Sequence, residues 1–134
     1  MRSTLSISLV AGLGLAAAGA RAIAHHSFSA EFDANKRVTM TGTVTSVEWR
    51  NPHTWFYIDV KSDNGDVANW GLELASPNLL LRNGWTRSSM KAGDVVTVEA
   101  YLAKNGLNVA NAHVVTLAST GATLFTGSSK GTTL

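Results

Sequence analysis

Val47-Glu48-Trp49-Arg50-Asn51-Pro52-His53-Thr54-Trp55-Phe56-Tyr57 joins two strand-like segments around an Asn-Pro turn. No other stretch concentrates aromatic and ionisable side chains so densely. Upstream, Val38, Met40, Gly42 and Val44 alternate with Thr39, Thr41, Thr43 and Thr45, the pattern of a half-buried strand. The apolar phase then moves to Val47 and Trp49. A one-residue slip within a strand predicts a β-bulge near Thr45-Ser46. Gly42, in mid-strand, predicts a close backbone approach or a sharp bend. A long bent strand from Arg37 to Trp49 suits a small barrel, in which one strand serves both ends of the sheet.

Downstream, the second strand runs from His53 to Lys61. Phe56, Ile58 and Val60 form one face and Trp55, Tyr57 and Asp59 the other. Ser62 to Asp66 contains Asn-Gly and reads as a hairpin loop. The third strand, Val67 to Leu74, puts Ala68, Trp70, Leu72 and Leu74 on the core side. Trp49, Trp55 and Trp70 are then expected to approach one another across adjacent strands.

Ser76-Pro77 announces a helix, with Ser as N-cap and Pro in the first turn. Leu79, Leu80 and Leu81 are expected on its buried side, Asn83-Gly84 ends it, and Trp85 plugs the barrel end. Lys91-Ala92-Gly93-Asp94 turns into a fourth strand, Val95 to Ala103, with Val96, Val98, Ala100 and Leu102 inward. Lys104-Asn105-Gly106 leads to a fifth strand, Leu107 to Leu117, for which Ala122 to Phe125 is a candidate hairpin partner. Strand, strand, strand, helix, strand, strand is the order of a mainly β, five-stranded OB-like Greek-key barrel, with its helix between strands three and four. A small β-sandwich is the alternative architecture.

The N-terminus reads differently. Arg2 precedes an apolar run from Leu5 to Ala18, followed by small residues and two Ala-x-Ala patterns. That is a secretory signal peptide, too short for a membrane span of ~20 apolar residues. The expected organisation is a leader over residues 1–24, a barrel domain over 25–126 and a loose tail over 127–134. The expected location is periplasmic or secreted, with no stable membrane anchor once the leader is removed. Cleavage after Ala22 or after Ala24 fits the pattern. Loss of Arg2 and Arg21 takes Lys+Arg from 11 to 9, equal to the 9 Asp+Glu. A mature chain of zero formal charge excludes a nucleic-acid partner, which needs a net basic face. The absence of cysteine excludes disulfides, thiolate chemistry and Cys-ligated zinc.

Several motifs occur together: Ala24-His25-His26-Ser27-Phe28-Ser29-Ala30-Glu31-Phe32-Asp33, Thr41-Gly42-Thr43-Val44, Val47-Glu48-Trp49, Asn51-Pro52-His53, Ser76-Pro77-Asn78, Gly84-Trp85-Thr86 and Lys91-Ala92-Gly93-Asp94. In this order they resemble a family of short exported bacterial proteins, the domain of unknown function 6152, over roughly residues 24 to 128. The resemblance implies export and a compact β-rich domain. It supplies no activity and no catalytic residues.

Two candidate sites follow from the residues themselves. Cleavage after Ala24 would leave His25 with a free α-amine and an imidazole. With His26 or His53 it would complete a set of nitrogen donors that suits Cu(II), so copper is the cofactor to consider. Cleavage after Ala22 would leave Ile23-Ala24-His25, an amine-x-His terminus that also suits Cu(II). The second candidate is a ligand face of Trp49, Arg50, Asn51, Trp55 and Tyr57, taking a small molecule, a saccharide or a protein partner by stacking. Catalysis is not expected. No nucleophile motif, phosphate loop or His-Glu-x-x-His motif is present, and His53 and Asp59, six residues apart on a strand, stand ~20 Å apart. Glu48 and Arg50 are expected to pair at the barrel mouth. The expected whole is a monomeric, exported binding or accessory module.

Overall fold

A computed structural model describes residues 28–127 of the chain. The expected leader, His25, His26 and all of the expected tail beyond Gly127 lie outside the described residues. The chain divides into two compact units, residues 1–30 and Glu31–Leu134, and the barrel belongs to the second.

Its elements are β1 (Phe32–Glu48), β2 (Trp55–Lys61), β3 (Val67–Glu73), α1 (Pro77–Arg82), β4 (Val95–Ala103), β5 (Val109–Leu117) and β6 (Thr123–Thr126). The sheet order is β3-β2-β1-β4-β5-β6, and an added β3–β5 pairing closes strands one to five into a ring. All pairings are antiparallel except β3–β5, which is parallel and spans Gly71↔Val109, Leu72↔Ala110 and Glu73↔Asn111. This is the expected OB-like barrel, with α1 between β3 and β4. The short β6 pairs with β5.

β1 serves two neighbours, as its length requires. Its first part pairs with β4 from Arg37 to Thr43, and its second with β2 from Thr43 to Glu48. The bend between them has two local causes. The register shifts between Val44 and Ser46, where the alternation slips in the sequence. A Cβ on Gly42 would lie 2.6 Å from the Asp59 carbonyl oxygen, so only glycine lets β1 and β2 cross this closely.

The inward faces follow the alternation. Val44, Phe56, Ile58, Leu72, Val96, Val98 and Val115 are almost fully buried in one core. The Ser76 hydroxyl caps α1 by accepting from Leu79 N–H at 3.3 Å. Trp85 closes one end of the core, donating its indole N–H to the Leu124 carbonyl at 2.6 Å.

Four expectations are corrected. β1 starts at Phe32, not Arg37. Ala34-Asn35-Lys36 forms an irregularity inside it, where pairing with β4 breaks between Phe32 and Arg37 and the Asp33 carboxylate accepts from Asn35 N–H. Leu81 is 54% exposed while Leu80 is fully buried. Successive helical residues turn by about 100°, so a single short helix cannot bury three in a row. β5 starts at Val109 because Asn105 Oδ1 accepts from Leu107 N–H and holds Leu107 in the turn. Finally, the three Trp do not form one cluster. Trp70 pairs with Ile58 on the inner face, Trp55 is on the outer face, and Trp49 packs edge-on against Trp85, with centroids 6.4 Å apart.

Candidate functional site

Outward-facing residues of β2 and β3 oppose one another in register: Trp55 with Glu73, Tyr57 with Gly71, and Asp59 with Asn69. The absent side chain at Gly71 makes room for aromatic rings. A Cβ there would sit 3.2 Å from Tyr57 Cε1 and 3.8 Å from Trp55 Cζ3. Trp55 and Tyr57, two residues apart on one face, therefore both reach over the same point of β3.

The turn between β1 and β2 adds polar groups to this shelf. The Arg50 guanidinium lies 5.7 Å from the Trp55 ring centroid, a cation–π distance. Its Nη2 donates to the Tyr57 hydroxyl at 3.5 Å, and its Nη1 is 3.2 Å from Glu48 Oε2. The expected Glu48–Arg50 pair is thus present. Both partners are about half exposed, so it contributes little to stability. On the far side, the turn between β4 and β5 reaches the same place, as Asn108 O accepts from Gly71 N–H at 3.0 Å. The aromatic shelf is flanked by both turns.

His53 stands at the rim. Its Nδ1 donates to Glu73 Oε1 at 3.0 Å. Glu73 is only 4% exposed, although it lies on the same side of the β2–β3 ladder as Trp55. Asn111, its partner across the parallel seam, donates Nδ2–H to the same oxygen at 3.3 Å. The hydrogen bond to Glu73 raises the His53 pKa above its ordinary value. Burial opposes that rise, and the charges of Glu73 and Glu31 add to it. With Nδ1 engaged, Nε2 is the ring nitrogen left for a ligand.

The sequence-derived site residues thus separate. Arg50, His53, Trp55 and Tyr57 come together on the outer face. Asn51 is exposed at the tip of the turn, where the Asn51-Pro52 peptide is cis. Trp49 points the other way, toward Trp85 and Arg87. Glu73 and Asn111 were missed. Their signal was a lone acid in Gly71-Leu72-Glu73-Leu74-Ala75 and a lone amide in Val109-Ala110-Asn111-Ala112, polar groups inside otherwise small or apolar runs. His113 is half-buried, its Nδ1 3.1 Å from the Gly127 carbonyl. Among the described residues, no group of three or more His, Asp or Glu is disposed to hold a metal, and no helix is long and apolar enough to cross a membrane.

A family model described as a family of unknown function (DUF6152) matches residues 12–112. No curated protein and no solved structure matches the chain.

Proposed function

This chain belongs to the family of unknown function DUF6152, and from that premise we propose that it is an exported binding module whose ligand lies on the outer face of β2 and β3. The leader-like residues 1–24 support export. One observation carries the site: Trp55 and Tyr57 lie together over Gly71, with Arg50 and His53 beside them and a turn on either side. That is the face on which OB barrels take oligonucleotides and oligosaccharides. The balanced charge of the processed chain favours a saccharide or another small polar molecule with a flat apolar side. Such ligands stack on aromatic rings and hydrogen-bond at their edges. The reading is one of binding rather than catalysis.

Intrinsic fluorescence and backbone-amide NMR, recorded against neutral and acidic mono- and oligosaccharides, test it. Saturable changes centred on Trp55, Tyr57 and Gly71, lost in Trp55→Ala, are expected. A panel that leaves those three positions unmoved, while the protein stays folded, removes the saccharide reading.

A second reading rests on the His53–Glu73 contact. A carboxylate on one ring nitrogen is how metal-bound imidazoles are commonly oriented, and it leaves Nε2 outward. We propose that His53 ligates Cu(II) through Nε2. The test is to titrate the processed protein with Cu(II) and compare it with His53→Ala. Binding should be lost in His53→Ala. Binding that survives His53→Ala would end this reading.

A further inference from the structure

Trp49 belongs to a different place from the rest of the expected ligand face. It leaves the end of β1 on the side of Trp85, and the Arg87 guanidinium lies over it, 5.6 Å from the ring centroid. Beside this stack is an open cleft of about 250 Å³, lined by Ser46, Val47, Trp49, Met90, Ala92 and the two cations Arg87 and Lys91. Its floor is apolar. Met90 is buried to 2% exposure, and Val47 and Trp49 pack against the core. Among the described residues, no carboxylate lines the cleft.

Both walls are held by local hydrogen bonds, so the shape exists before anything enters. The 91–94 turn is tied to β1 by Val44 N–H to Asp94 O and by Gly93 N–H to Val44 O, both 2.8 Å. The Asp94 carboxylate accepts from Lys91 N–H at 2.9 Å, the leading reason its pKa lies below the ordinary value. The turn carrying Arg87 is closed by Thr86 N–H to Ser89 Oγ at 2.9 Å and by Ser88 N–H to Thr86 Oγ1 at 3.2 Å.

The two cations differ. Lys91 Nζ is neutralised by Asp94 Oδ1 at 3.1 Å. Among the described residues no carboxylate pairs with Arg87, so its in-plane N–H groups are available to an incoming acid. A guanidinium fork matches a carboxylate with two parallel hydrogen bonds, and the apolar floor beside it accepts a hydrocarbon body. We propose that this cleft is a second ligand site, for a compact organic anion with an apolar body, of the aromatic carboxylate class. At about 250 Å³ it lies just below the ~300 Å³ lower end of ordinary small-molecule sites, which limits the ligand to a small one. The site is independent of the outer face, since Trp55 and Tyr57 do not line it.

The probes are benzoate and its uncharged counterpart benzamide, titrated into the full-length processed protein and followed by amide and indole N–H NMR shifts. Benzoate should give saturable shifts at Val47, the Trp49 indole, Arg87 and Lys91. Benzamide should bind about ten-fold more weakly or worse, and Arg87→Gln should weaken benzoate by a similar factor, the size of a lost charge-assisted pair. The native-protein comparison of the two probes stands even if the variant folds poorly. Equal binding of benzoate and benzamide, no saturable shift at these residues, or shifts centred on Trp55 and Tyr57 instead would each overturn the proposal.

Discussion

His53 and Glu73 form a hydrogen-bonded pair across the rim of the barrel, Nδ1 to Oε1 at 3.0 Å, with the carboxylate buried and the imidazole partly exposed. The same Glu73 oxygen accepts from Asn111, so one carboxylate connects the first turn, β3 and β5. It does so where the ring closes through only three parallel residue pairs. The contact that orients the candidate ligand nitrogen therefore also holds the seam.

That pair makes stability depend on pH. The folded-state pKa of His53 is raised, so its contribution is fully present below the unfolded value of about 6.5. It is lost as pH rises through the raised folded value. Urea midpoints of the native protein and His53→Gln, compared between about pH 5.5 and pH 8.5, should differ most at the acid end and converge at the alkaline end. A constant difference across the range would show that the pair contributes no proton linkage.

Thr54 is fully buried, and among the described residues its hydroxyl has no hydrogen-bond partner. Its backbone extends the β2–β3 ladder through Thr54 N–H to Ala75 O and Leu74 N–H to Thr54 O. A buried hydroxyl without a partner carries a desolvation cost, so Thr54→Val should be neutral or stabilising by up to ~1–2 kcal/mol in chemical denaturation. A loss of more than that would mean that the hydroxyl is satisfied.

Gly42 should tolerate no side chain. The Asp59 carbonyl that a Cβ would meet is backbone and cannot swing away. Gly42→Ala should cost about 1–3 kcal/mol, the usual range for forced overpacking. The amide shifts it causes should concentrate on Val44, Ile58 and Asp59, the crossing of β1 and β2.

Ser76→Ala removes the hydroxyl that accepts from Leu79 N–H and should cost about 1 kcal/mol in thermal or urea unfolding. Ser76→Asp should restore most of that loss, since Asp is as good a cap and its charge suits a helix N-terminus. Failure of Asp to rescue would indicate that Ser76 acts through packing rather than capping.

Much of this barrel is legible along the chain because its determinants are local. The alternation through Phe56, Ile58 and Val60 orients β2. The phase slip at Thr45-Ser46 marks the bulge, and Ser76-Pro77 marks the helix between β3 and β4. The errors arise where geometry overrides local pattern. Leu81 looks like its two neighbours but is rotated into solvent. Trp49 carries the same label as Trp55 but sits on the other side of a bulged strand end. The candidate site was legible in part, since Arg50, His53, Trp55 and Tyr57 are neighbours in sequence and become neighbours in space.

By itself, the order of residues determined the strands, the helix, the bend of β1 and which side of each strand is apolar. All of these depend on contacts a few residues apart or on the period of two. Only the tertiary structure decided that Glu73 is buried, that it meets His53 on one side and Asn111 on the other, and that Trp49 lies beside Arg87. Glu73 and Asn111 are 38 residues apart and become neighbours only when β3 and β5 close the ring. A chain carries no local record of which distant strand will cover a given side chain, so long-range closure is where new chemistry appears.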